Sequence, residues 1–235
     1  MPKEFYKVSY KTYLNDRIKP VLFQRKPTYP LYIQLTYDRK TSFFRSYYFD
    51  VFAQPKYDHL RTTISQIDEL ESRVISYVTN RYSAEFSLHS FSSWYQLFNK
   101  DILDSLENPF KEWLIAYFEK GKLPGHAALL RHGMREVSAC KLLDEFKIYL
   151  APGLNERLIA AAVTDAPPYI PIAAYILHRQ PSGPFCLPLY EWLQPETQTD
   201  VKGYIDKEFS LYDMGRIIKA IKDLLRHKHN MASML

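Results

Sequence analysis

The residues best placed to do chemistry lie in the fragment LLRHGMREVSACKLL, which holds Arg131, His132 and Arg135. Cations of this kind could surround the scissile phosphate of a nucleic acid, but phosphoryl transfer also needs a nucleophile positioned among them. No serine or cysteine of the chain stands in a recognisable nucleophile motif. We therefore expect a protein without catalytic activity.

Other residues that could bind a metal or a cofactor do not form a complete motif. Cys140 and Cys186 lie in apolar surroundings and fit small core residues, and two cysteines make neither a disulfide framework nor a zinc set. His227 and His229 could hold a stray metal, but two histidines leave the site incomplete. The seven glycines form no phosphate-binding loop. We expect no cofactor, no metal and no small-molecule substrate.

Positive charge is concentrated at the two ends of the chain. Residues 1–58 carry 11 Lys and Arg against 5 Asp and Glu, and residues 201–235 carry 7 against 4. Residues 59–120 carry 6 against 9. This distribution fits contact with a polyanion at one or both ends, and it equally fits an unevenly charged solvated surface.

The basic C-terminal segment, residues 210–228, predicts one amphipathic helix. Ser210 and Asp213 form an S-x-x-D start, a variant of the capping box. The apolar stripe consists of Met214, Ile217, Ile218, Ile221, Leu224 and Leu225. The cations of the opposite side are Arg216, Lys219, Lys222 and Arg226. That side is either a solvated face or a face that contacts phosphate.

The first 58 residues predict a three-stranded antiparallel sheet. Alternation gives each strand two faces, and the turn between the second and third strands is Asp38 to Lys40. The first strand places Tyr6, Val8 and Tyr10 opposite Lys7, Ser9 and Lys11. The second places Leu31, Ile33, Leu35 and Tyr37 opposite Tyr32, Gln34 and Thr36. The third places Phe43, Arg45, Tyr47 and Phe49 opposite Phe44, Ser46 and Tyr48, and the aromatic residues on both sides leave its buried face open.

A helix of period 3.6 follows the sheet, from Asp58 to Arg81, and should cover its apolar face. The remaining chain reads as mostly helical, with a helix starting at Pro109 and ending at Gly121, and a possible break at Gly133. The segment around Gly133 also fits a helix-turn-helix loosely. Residues 151–195 hold 8 of the 15 prolines and predict broken structure with short helical turns.

The fold class expected from these elements is α+β. The hydrophobic content of 46% and aromatic content of 15% exclude a disordered chain. We expect two domains, residues 1–82 and 83–235. The sequence contains no run of about 18 apolar residues, so it predicts no membrane span. The first residues do not read as a secretory signal. A cytoplasmic protein is the simplest expectation.

The stretch from Tyr29 to Asp58 resembles the N-terminal arm-type DNA-binding domain of tyrosine recombinases from Bacteroides-like mobile elements. The matching segments are YPLYI, the following LT, the turn DRK and the segment PKYD before the helix. The resemblance implies a three-stranded sheet placed in the DNA major groove and backed by a helix. Gln34 stands where the family usually has a cation. Arg131 and His132 are similar to the family's second-arginine motif, but Ala128 replaces its histidine, and no catalytic domain is recognised.

Under this resemblance, the outward face of the sheet would contact base edges, and the turn would contact phosphate. The candidate DNA-binding residues of the sheet are Lys7, Lys11, Tyr32, Gln34, Thr36, Arg39, Lys40 and Arg45. Those of the C-terminal helix are Arg216, Lys219, Lys222 and Arg226. We expect a DNA-binding accessory protein of a mobile element or phage with duplex DNA as its partner. The alternative is a protein-interaction subunit that binds another protein or a second copy of itself through the aromatic sheet.

Overall fold

In a computed structural model the chain forms an α+β fold, as predicted. The structure describes residues 7–133, 136–181, 183–209 and 212–228, and for residues 224–228 it describes the backbone only. Contacts divide the chain into two compact units. The first comprises Met1–Lys100 and Pro188–Tyr190, and the second comprises Asp101–Leu187 and Glu191–Leu235.

The first unit is built on a three-stranded antiparallel sheet of order β1-β4-β5, which confirms the sheet predicted from alternation. Its strands are β1 (Ser9–Leu14), β4 (Leu31–Tyr37) and β5 (Lys40–Arg45). The segment between β1 and β4 was expected to be a polar connection. It contains a small hairpin instead, made of β2 (Val21–Phe23) and β3 (Lys26–Thr28).

The third strand of the sheet is shorter than the alternation suggested. It ends at Arg45, and Tyr47–Phe52 form a helix, α1, so the extension of that strand to Phe49 is wrong. The reason is local: Ser46 caps the helix, and its hydroxyl accepts the backbone N–H of Phe49 at 3.0 Å. With six residues, α1 is too short to show helical periodicity in the sequence, and its aromatic residues also favour strands.

The covering helix, α2, runs from Ile64 to Arg81 and begins six residues later than predicted. A 3-10 turn occupies Pro55–Tyr57, and Thr63 and Gln66 form a capping box that fixes the true start. The helix does cover the sheet, because the Thr12 hydroxyl of β1 donates to Asp68 at 2.5 Å.

Two further helices of the first unit pack on α2: the short helix α1 and the helix α3 (Leu88–Phe98). Phe44 of β5 lies edge-on to Tyr95 of α3, with ring centroids 4.7 Å apart. The domain boundary expected after residue 82 falls between α2 and α3. The first unit therefore includes the helix that follows the expected boundary.

The second unit is helical. Its helices include α4 (Ile102–Lys120), α5 (Pro124–Gly133), α6 (Ala139–Tyr149), α7 (Pro152–Asp165), α8 (Tyr169–Arg179), α10 (Pro195–Glu208) and α11 (Met214–Lys228). The four-residue α9 (Leu189–Trp192) has two residues in each unit. The helix end predicted at Gly121 is confirmed, and α5 ends at Gly133, where a possible break was expected. In the described part of the chain no helix has the length and apolarity that crossing a membrane requires.

Two predictions about prolines in this unit are wrong. Pro109 does not start a helix, since α4 begins at Ile102 and continues through it. Asp101 caps that start by accepting the backbone N–H of Leu103 at 3.0 Å. The segment 151–195 is also more regular than expected, with helices of 14 and 11 residues. Pro152 occupies the first turn of α7, where the missing N–H costs nothing.

Candidate nucleic-acid interface

The three-stranded sheet has one covered face and one open face. Strand register places Lys11 opposite Gln34, and Gln34 opposite Phe43. The side chains that share this face are Ser9, Lys11 and Tyr13 of β1, Tyr32, Gln34 and Thr36 of β4, and Thr41, Phe43 and Arg45 of β5. We call this set the open face. All nine of its members are exposed or half-buried, whereas Leu31, Ile33 and Leu35 on the other face of β4 are buried.

Most of the candidate sheet residues are brought together by this arrangement. Lys11, Tyr32, Gln34, Thr36 and Arg45 all belong to the open face. The exposed Lys7 precedes β1 on the same alternation. These residue types could donate to base edges and phosphates from a single surface.

A tight turn presents Arg39 at one end of the sheet. Tyr37 pairs with Lys40, so the loop has two residues, Asp38 and Arg39, with φ of 49° and 60°. Positive φ at both positions is typical of the type I′ hairpin turn, whose twist matches the strands it joins. Arg39 and Lys40 are exposed. Neither cation belongs to the open face: Arg39 lies in the turn, and by alternation Lys40 begins on the covered face of β5.

Arg45 forms an ion pair within the protein. Its Nε lies 2.6 Å from a carboxylate oxygen of Asp50 in α1, and both side chains are accessible to water. Burial raises the pKa of Asp50, and the neighbouring guanidinium opposes that rise. A phosphate at Arg45 would have to share the guanidinium with this carboxylate.

The open face contains a recess of about 360 Å³, lined by Lys11, Tyr13, Gln34 and Phe43 and by the loop residues 15–17. Phe43 is 58% exposed and forms one wall. The rings of Tyr13 and Tyr32 lie 6.2 Å apart on the same face. The face therefore combines a cation, an amide and aromatic surface around a shallow concavity.

A buried carboxylate holds the end of β5 in place beneath this face. Glu71 of α2 is fully buried; one of its oxygens accepts the Ser46 hydroxyl at 2.5 Å and the Tyr48 N–H at 3.1 Å, and the other accepts the Tyr95 hydroxyl at 2.6 Å. The pKa of Glu71 is raised to about 7 because burial outweighs these hydrogen bonds. The network joins α1, α2 and α3 at the point where the strand becomes a helix.

Five residues of the recess were absent from the candidates named from sequence: Tyr13, Asn15, Asp16, Arg17 and Phe43. Tyr13 continues the alternation that contains Lys11, and Phe43 shares the alternation of Arg45, so the sequence contained a signal for both. Their exposure depends on which face the helices cover. Arg17 lies in the loop after β1, where no periodicity indicates its position.

The C-terminal cations belong to the second unit. Ile217 and Ile221 are buried and Lys219 and Lys222 are exposed, as the apolar stripe predicted. Arg216 is exposed, donates to the backbone oxygen of Thr164 and lies 5.2 Å from the ring of Tyr212. The helix begins at Met214, four residues later than predicted, and Asp213 caps it by accepting the backbone N–H of Gly215 at 2.9 Å. Ser210 and the side chain of Arg226 lie outside the described residues.

The residues considered for catalysis are not assembled into a site within the described chain. Arg131 forms an ion pair with Glu119, and His132 is exposed on α5. Burial raises the pKa of Cys140 to about 11, so its thiol stays protonated at neutral pH.

Arg135, which also lies in the connection of the loose helix-turn-helix match, is outside the described residues. The same holds for the side chain of His227 and for His229, the two histidines considered as metal ligands. Across the residues the structure describes, no three metal-ligating side chains stand close enough to hold an ion. Comparison with protein-family models, curated proteins and solved structures finds no match to this chain.

Proposed function

We propose that the protein is a non-catalytic DNA-binding accessory or regulatory protein of a bacterial mobile element or phage. The observation that carries the proposal is the open face, which groups Lys11, Gln34 and Thr36 on an uncovered side of a small sheet. A sheet or ribbon of this width can enter the major groove of duplex DNA. The resemblance of residues 29–58 to arm-type DNA-binding domains supports the same assignment.

In this mode Gln34 is the central base-reading residue. Its amide can form two hydrogen bonds with adenine, and the neighbouring Phe43 can contact a thymine methyl group. Lys11 from the open face and Arg39 from the turn would contact phosphates on either side. The cations of α11 would add phosphate contacts from the second unit.

The test is a fluorescence-anisotropy titration of a labelled duplex at two salt concentrations. Each phosphate contact contributes roughly 0.9 to the slope of log affinity against log salt. The double variant Arg39→Ala, Lys40→Ala should therefore bind more weakly and lose up to about 1.8 from that slope. Lys122→Ala with Lys202→Ala removes two exposed charges of the second unit and serves as the matched control.

Unchanged affinity in the Arg39 and Lys40 variant would mean that the assigned surface is wrong. Absence of any salt-dependent binding by the unsubstituted chain would reject the function itself. These two results are distinguishable because the second is read from the unsubstituted protein.

A second candidate is a protein-interaction subunit that uses the open face as its interface. Phe43 favours it, because an aromatic side chain that is 58% exposed beside two tyrosines is typical of protein-binding surfaces. The outer strands β1 and β5 also leave sheet edges on which another chain could pair. Light scattering separates the two functions: a stable oligomer or complex that Phe43→Ala disrupts, without binding of DNA, would favour this one.

A further inference from the structure

The second unit contains a groove of about 830 Å³, which is within the size range of small-molecule sites. One wall is a face of α4 with Trp113, Ala116, Tyr117 and Lys120, and the other is a face of α7 with Leu154, Arg157, Ala161 and Asp165. Both sets recur at helical spacing, so each wall is a continuous strip of one helix.

The two walls run in opposite directions. Phe110 of α4 stacks on Tyr169, at a centroid distance of 5.1 Å, and Tyr169 follows closely after the end of α7. This contact puts the end of α7, and Asp165 with it, towards the Phe110 side of the groove. Phe118, near the end of α4, lies 5.5 Å from Phe146 of α6, and α7 begins three residues after α6 ends. The first turns of α7 therefore lie towards the end of α4, and we place Arg157 at the same end of the groove as Lys120.

Aromatic surface forms the middle of the groove. The rings of Trp113 and Tyr117 stack with centroids 5.3 Å apart, and both side chains are half-buried. Ala116 and Ala161 are too small to fill the space between the helices. A flat ring could enter there and stack on the exposed aromatic faces.

The Lys120 and Arg157 end carries positive charge that the described chain does not neutralise. The Nε of Arg157 donates to the backbone oxygen of Gly153 at 3.0 Å, and its terminal nitrogens have no carboxylate partner among the described residues. Lys120 likewise has no ion-pair partner there, although the adjacent Glu119 pairs with Arg131. A guanidinium beside an ammonium suits a carboxylate, sulfonate or phosphate group.

We propose that this groove binds a small planar aromatic molecule that carries one anionic group. The ring packs against Trp113 and Tyr117, and the anionic group binds Lys120 and Arg157. The site is separate from the sheet surface, because every residue in it belongs to the second unit, and none of its lining residues is a candidate DNA-binding residue.

The experiment is a titration with 1-anilinonaphthalene-8-sulfonate, an aromatic anion whose fluorescence rises in an apolar site, and with N-phenyl-1-naphthylamine, the same ring system without the sulfonate. We expect saturable binding of one sulfonate per chain. The Lys120→Gln, Arg157→Gln double variant should bind it about tenfold more weakly, since it loses charge-assisted hydrogen bonds. Trp113→Leu should also weaken binding of the sulfonate.

Lys122→Gln is the matched control, since Lys122 is exposed two residues beyond Lys120 and does not line the groove. It should leave the affinity unchanged, and circular dichroism should show the same helix content in all variants. The proposal is overturned if the sulfonate does not bind saturably, if the double variant binds it as tightly as the unsubstituted protein, or if the neutral compound binds as tightly as the sulfonate.

Discussion

The two faces of the sheet in the first unit come from the same strands, yet they have opposite physical roles. On β4, Ile33 and Leu35 are completely buried, while Gln34 between them is half-buried and faces away from the helices. The covered face supplies stability, because it removes apolar surface from water. The open face contributes little of that kind, so the identity of its residues is free to serve binding. Substitutions on neighbouring residues can therefore separate folding from function.

The largest contrast is expected on β4. Leu35→Ala removes a fully buried side chain and should lower the free energy of unfolding by about 4 kcal/mol, because it leaves a cavity in the packed layer. Gln34→Ala should change that free energy by less than about 0.5 kcal/mol. Urea denaturation followed by circular dichroism measures both. Similar losses for the two variants would show that the open face is also part of the packed structure.

A pH-dependent contrast follows from Glu71, which lies under the covered face. Its pKa rises from 4.5 to about 7 on folding, so the folded chain retains a proton that the unfolded chain has released between these values. The stability this proton provides is fully present below pH 4.5 and is lost as the pH rises to 7. The loss amounts to about 3 kcal/mol, at about 1.36 kcal/mol for each pH unit.

Glu71→Gln is the matching variant, because an amide can still accept from Ser46 and donate to Tyr95. Asp101 of the second unit, whose pKa is also raised to about 7, adds a loss of the same sign in both proteins. The difference between the variant and the unsubstituted chain isolates Glu71, and it should grow from pH 4.5 to pH 7. Parallel pH profiles would mean that Glu71 is already ionised in the fold.

The sequence predicted which face is buried for one strand and not for another. Alternation on β4 was sufficient, because Leu31, Ile33 and Leu35 are aliphatic and their neighbours are polar or amphipathic. It failed on β5, where aromatic side chains occupy both faces and the strand gives way to α1 at Ser46. Only the packing of Phe44 against α3 decides that Phe43 points outward.

Other parts of the molecule depend on long-range contacts that local patterns do not encode. Pro109 was expected to start a helix, but tertiary packing of the apolar face of α4 keeps the helix continuous through it. The recess depends on a loop, residues 15–17, whose position follows from register and turns. The groove between α4 and α7 brings together residues more than 30 positions apart, so Arg157 could not be paired with Lys120 and the aromatic rings of α4 from sequence.

The adjacent residues Phe43 and Phe44 give the next largest contrast. Phe44 packs against Phe91 and Tyr95, with ring centroids 5.7 and 4.7 Å away, so Phe44→Ala should cost about 2 kcal/mol of stability. Phe43→Ala should leave stability nearly unchanged and weaken binding at the open face instead. Denaturation and anisotropy measured on the same two variants test this. A stability loss for Phe43→Ala equal to that for Phe44→Ala would contradict the assignment of faces.

The smallest expected effect concerns the turn, where stability and binding should change in opposite directions. Arg39 has a φ of 60°, a region in which glycine is favoured over other residues. Arg39→Gly should therefore stabilise the first unit by roughly 0.5 kcal/mol, since relief of strain exceeds the added freedom of the unfolded chain. Under the proposed function the same change removes a charge that contacts phosphate, so affinity for duplex DNA should fall and its salt slope should decrease by about 0.9. Arg39→Lys is the control that retains the charge at the strained position. Stronger DNA binding by the glycine variant would show that turn geometry, rather than the cation, governs the contact.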